Sequence, residues 1–202
     1  MQRGISWAVA LAVCGAAACG DNPKYDVRVK LPGTDAGAAV DSQLADGTAS
    51  LKLFPCDVSV RLGQCVAGMP IQLVMVPSGA ANSGSTNCNP KSARSILQDH
   101  VGERITLGRG DAGVLWIQAF QGDDDDDSGL VERREMHAYG EFRSGFLEVT
   151  AFDGTTLEAT VEAEDDPGTG VLSGTLGAVD GDNTAAFAVG PRCTWPIGAK
   201  AN

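Results

Sequence analysis

The chain has 202 residues, is 43% hydrophobic but only 5% aromatic, and carries a formal charge of −11 with a pI near 4.5. About 180 residues beyond an N-terminal leader suffice for one domain with a real core. The acidity argues against nucleic acid or an anionic membrane surface as a charge-driven partner, because both reward clustered Lys and Arg.

The leader comes first. Arg3 precedes an apolar run from Ile5 to Val13, interrupted only by small residues and ending at Gly20-Asp21-Asn22-Pro23. That run is too short for a membrane-spanning helix, which needs about 20 apolar residues, and fits a cleavable export signal over residues 1–18. Ala16-Ala17-Ala18-Cys19-Gly20 resembles a bacterial lipobox, in which the signal is cut before a lipid-modified cysteine. The resemblance implies a diacylglyceryl or palmitoyl-type anchor on Cys19 and a lipoprotein held at the cell envelope, facing outside the cytoplasm. Ala16 stands where the pattern prefers leucine, so plain secretion is the alternative.

Residues 19–50 are rich in Gly, Ala, Asp and Thr, and they read as a flexible tether between the lipidated cysteine and a folded region over 51–202. From Leu51 the period changes to two. Leu51 and Leu53 are followed by Val58, Val60 and Leu62, with Asp57, Ser59 and Arg61 between them, which predicts strands. In Ile71–Val76, Ile71, Leu73 and Met75 alternate with Gln72, Val74 and Val76, which predicts a strand buried on both faces.

Next, Asn89 offers a cap, Pro90 suits a first helical position, and Ala93, Ile96, Leu97, His100 and Val101 fall on one face before Gly102. One short helix is expected there, with His100 in a structural role near its carboxyl end.

Five consecutive aspartates, Asp123–Asp127, follow, and the segment reads first as a solvated acidic hairpin tip. Counted from Asp124, its spacing resembles an EF-hand calcium loop, with Asp124, Asp126 and Ser128 at positions one, three and five and Gly129 at the turn. Glu132 falls at nine and Glu135 at the bidentate twelfth. The resemblance implies calcium as a cofactor. The flanks depart from the family, because Val114–Phe120 and Met136–Gly140 favour strands over helices.

Further strands are predicted at Phe146–Phe152, at Leu157–Ala163 with strict alternation, at Val171–Val179 and at Thr184–Val189. They are separated by Asp153-Gly154 and Asp166-Pro167-Gly168 turns. The expected fold is an all-β antiparallel sandwich or barrel with one short helix.

Four cysteines lie beyond the lipidated Cys19, namely Cys56, Cys65, Cys88 and Cys193, and an oxidising compartment favours two disulfides. Three pairings exist. The short loop between them favours Cys56–Cys65 with Cys88–Cys193.

Only His100 and His137 could serve as imidazole bases. Neither Gly-x-Ser-x-Gly nor His-Glu-x-x-His occurs. The sequence therefore points to a non-catalytic binding or structural module without a cofactor. A calcium-stabilised module and a carboxylate-based hydrolase are the alternatives. The lipid anchor gives the membrane as partner, nucleic acid is not expected, and a protein or glycan partner is not specified.

Overall fold

The computed structural model describes residues 22–63, 70–86, 88, 90–122, 131–166, 168–181 and 199–200. The order is β1 (Tyr25–Leu31), β2 (Val40–Gly47), β3 (Ala49–Leu53), β4 (Val58–Leu62), β5 (Ile71–Pro77), α1 (Ala93–Asp99), β6 (Arg104–Thr106), β7 (Leu115–Gly122), β8 (Val131–Glu132), β9 (Met136–Phe152), β10 (Thr156–Asp165), β11 (Val171–Asp180) and β12 (Ala199–Lys200). Strands β10, β9, β7, β5, β4, β3 and β11 are neighbours in that order, and β10 pairs with β11 to close a seven-stranded barrel. Ring pairings are antiparallel except β11 with β3.

Closure follows from two long strands that each serve several neighbours. β11 offers one edge to β10 and divides the other between β1, opposite Val171–Thr175, and β3, opposite Ala178–Asp180. β9 pairs with β10 on one edge and with β7 and β6 on the other. The interior is filled by alternate residues, among them Leu51, Val60, Leu73, Met75, Ile117, Phe142, Leu147 and Val161. Each buried aliphatic or aromatic side chain of this kind contributes about 1.5–3 kcal/mol.

The residues read as a tether are instead built into the fold. β1 carries Tyr25, Val27, Val29 and Leu31 buried in alternation, and these belong to the interior core; β2 pairs along its whole length. The composition of 33–39 hid this, because Gly and Ala dominate only the link between the strands. The β-region thus reaches back to Tyr25. Beyond Leu31, Tyr139 N–H donates to Pro32 O and Thr34 N–H donates to His137 O, so the link crosses to β9. Gly140 makes room for it, since a Cβ there would stand 3.2 Å from a Leu31 methyl.

The helix forms where the sequence places it, with a different start. Ser92 is its N-cap and accepts from Ser95 N–H; Asn89 lies outside the described residues. Ala93, Ile96 and Leu97 join the interior core, whereas Val101, expected on the same face, is 44% exposed. It falls past the C-cap, His100, whose Nδ1 lies 2.7 Å from Ile96 O.

The disulfide expectation is corrected. Cys56 bonds to Cys88, not to Cys65, with Cα atoms 5.0 Å apart. A tertiary contact sets the pairing: Ala93 N–H donates to Cys56 O at 2.7 Å, so the approach to α1 lies against the β3–β4 turn. Cys88 is thereby removed from the expected pairing with Cys193. Cys65, Cys193 and the strand expected at Thr184–Val189 lie outside the described residues.

Candidate functional site

The side chains that gather into a polar site come mainly from β9. Its first half buries alternate residues through Phe142, while its second half buries Leu147 and Val149, in the opposite phase. The change of phase is a β-bulge: Glu164 lies opposite Ser144 and Asp165 opposite Phe142, leaving Arg143 as the extra residue. A bulge bends the strand and re-aims a side chain. Tyr139, Glu141 and Arg143 consequently project together onto the outer face.

That face is a connected network. Gln118 Nε2 donates to the Tyr139 hydroxyl at 2.8 Å, Tyr139 donates to Glu141 Oε1, and Arg143 Nη2 pairs with Glu141 Oε2. Arg109 approaches the same carboxylate at 3.9 Å and lies over the Trp116 ring at 4.7 Å; Arg143 stacks on that ring at 5.9 Å. Arg133 lies over Tyr139 at 5.8 Å, and among the described residues no carboxylate pairs with it. Burial pushes the Tyr139 hydroxyl above its ordinary pKa, opposed by the Gln118 hydrogen bond and by Arg133, Arg143 and Arg109.

Beside the network opens a cleft of about 1030 Å³, bounded by the β1–β2 link, the outer face of β9 and the β10–β11 turn. Its lining carries Arg133, Arg134, Arg143 and Tyr139 together with the carboxylates of Asp35, Glu141 and Asp166. Asp165, also at the rim, is committed internally: it accepts from Gly170 N–H at 2.6 Å and from Thr169 Oγ1 at 3.2 Å. Sequence reasoning missed this site. Its trace was the outward phase Tyr139, Glu141, Arg143 on one strand.

Of the proposed calcium ligands, Asp124, Asp126 and Ser128 lie outside the described residues. Glu132 and Glu135 are described and close a capping box, with Glu132 N–H donating to Glu135 Oε2 at 2.7 Å; Arg134 pairs with both carboxylates. A calcium ion bound bidentately by Glu135 would have to compete with that cap. The flanks expected as strands are strands: Leu115–Phe120 lies in β7 and Met136–Gly140 in β9.

His100 and His137 sit on α1's C-cap and at the β9 bulge beside β7, respectively, apart in the fold's connectivity. Asp57 is a buried carboxyl whose pKa desolvation raises to about 6, against the lowering effect of the Gly84 N–H bond. It sits next to the Cys56–Cys88 bridge. Cys19 lies outside the described residues.

Together these features define an all-β protein built on a closed barrel with a polar cleft on its outer wall. No protein-family model, curated protein or solved structure gives a significant match to this chain.

Proposed function

We propose that the chain is an exported lipoprotein, anchored through Cys19 at the cell envelope, whose barrel acts as a non-catalytic binding module. The observation that best supports the binding part is the prebuilt outer-wall network from Gln118 through Tyr139 and Glu141 to Arg143, opening onto a cleft of about 1030 Å³. A cleft with a few fixed polar groups is the usual form of a small-ligand site. A filled barrel interior suits a rigid support for such a site better than an enclosed reaction chamber.

The leader is the basis for the address. Fatty-acid labelling of the full chain should be lost in Cys19→Ala; labelling that persists would overturn the anchor and leave plain secretion. The binding reading fails if the purified protein turns over glycoside or ester substrates and loses that activity when Glu141 is replaced by Gln.

Calcium stabilisation remains a second reading, resting on the spacing of Asp124, Asp126, Ser128, Glu132 and Glu135. Its measure is the melting temperature in EDTA and then in calcium, which should rise in the native chain and not in Asp126→Ala.

A further inference from the structure

The binding reading leaves open what the cleft takes, and the charges around it narrow the choice. In a chain of net charge −11, three arginines, Arg133, Arg134 and Arg143, line this one depression. They are not equivalent. Arg134 is engaged by Glu132 and Glu135. Arg133 is exposed, held over Tyr139, and without a carboxylate partner among the described residues. Arg143 spends Nη2 on Glu141, and its side chain remains 34% exposed in the lining of the cleft. A guanidinium is a rigid fork suited to planar oxyanions.

Resting on the binding reading, we propose that the cleft binds ligands through a single terminal carboxylate, held between Arg133 and Arg143 above the Tyr139 ring. The site already holds one carboxylate, that of Glu141, against Arg143. The acidic residues of the lining decide the charge of the ligand. Asp35 and Asp166 are exposed, and with Glu141 and Asp165 they outnumber the three arginines, so the lining as a whole repels a dianion more strongly than a monoanion. A phosphate monoester is therefore disfavoured. The size of the cleft suits a short peptide end or a sugar acid.

The floor supports this role. Tyr139 is fixed by Gln118 and Glu141, so the ring under Arg133 does not have to be ordered on binding. Arg143 is placed by the bulge and by Trp116, which leaves little conformational entropy to be lost there.

The test uses the full chain and follows backbone amide and arginine Nε–H resonances at constant ionic strength. The probes are N-acetyl-Ala-Ala as the free acid, the same dipeptide as its C-terminal amide, and glucuronate. Saturable shifts centred on Arg133, Tyr139 and Arg143 are expected with a free acid and not with the amide. Arg133→Gln, an exposed change that leaves the fold intact, should weaken the affinity at least tenfold, and Arg133→Lys should recover only part of it. Peptide acid alone, or glucuronate alone, identifies the source of the carboxylate and upholds the proposal. Equal response to acid and amide, shifts spread equally to Arg28 and Arg104, or no saturable binding of either acid would overturn it. Those failures leave Cys19 labelling untouched, so the address and the ligand class are tested separately. Binding of a neutral ligand in the same cleft would remove the carboxylate claim while preserving the binding reading.

Discussion

Two stretches of the barrel wall obey different rules. On β10 the pattern is simple: Leu157, Ala159, Val161 and Ala163 point inward, while Glu158 and Glu162 face solvent. On β4, β5 and β7 both phases are buried, and the outward residues form a second cluster of Val74, Val76, Trp116 and Phe120, joined by Val131 and Met136. Polar residues lie in that covered wall too. Ser59, Gln72 and Gln118 are buried, with Gln72 Nε2 donating to Ser59 Oγ at 2.8 Å. The lesson is that a strand's outer face is set by what lies over it, and alternation reports only on the uncovered kind.

Part of the cover is the connection after β5, which holds few apolar residues of its own. It is fastened instead. Gly110 N–H donates to Ser78 O, Arg109 donates to Ala81 O, Gly84 N–H donates to Asp57 Oδ2, and Cys88 is bonded to Cys56. Ala80 is packed into the second cluster. Arg109 therefore has two tasks, stacking on Trp116 and holding the segment that covers it.

The sharpest way to break the comparison is to truncate an outward residue on each wall. Trp116 is fully buried, so Trp116→Ala should cost about 3–5 kcal/mol in urea unfolding. Glu162→Ala, outward on the open wall, should stay within about 0.5 kcal/mol. Equal effects would mean that the two walls do not differ.

The contrast also explains how much was readable in advance. The β10 alternation and the Asp153-Gly154 hairpin were legible because each is dictated by neighbours in sequence, and the doubly buried β5 because its residues are apolar except Gln72. Asp153 Oδ1 accepts from Thr155 and Thr156 N–H at 2.7 Å, Gly154 takes φ +91°, and the same hydrogen bonds lower the Asp153 pKa. β1 and β2 were hidden by the Gly/Ala link that follows β1, although Tyr25, Val27, Val29 and Leu31 alternate. The arginine cleft was hidden because the bulge at Arg143 is set by β10, and the Cys56–Cys88 pair because it depends on where α1 docks. The last two misses share a cause: the deciding partner is distant in the chain.

Opening the bridge sharpens the comparison at slightly smaller cost. Cys56 and Cys88 are 32 residues apart, for which the loop-closure relation gives about 3–4 kcal/mol. Cys88→Ser should lower stability by that order. Hydrogen exchange in the variant should also rise first at Ser78, Ala80 and Gly84, the fastened segment, before it rises on β10. Uniform loosening of both walls would show that the cover is not an independent unit.

Asp57 tests the fastening at its most polar point, through pH. The residue is 1% exposed, one carboxylate oxygen accepts from Gly84 N–H at 2.5 Å, and the other, Oδ1, is buried without a partner. Burial raises its pKa from 3.8 to about 6, so the folded chain holds this proton more tightly than the unfolded chain does. The favourable contribution is then complete below pH 4, declines as pH rises from about 4 to about 6, and is gone above that. The change corresponds to about 3 kcal/mol at 1.36 kcal/mol per pKa unit. In Asp57→Asn this component is absent, so the stability of the variant relative to the native chain should rise by up to that amount between pH 4 and pH 7. If the difference between the two is independent of pH, the carboxyl is solvated, and the corner that fastens the cover is open to water.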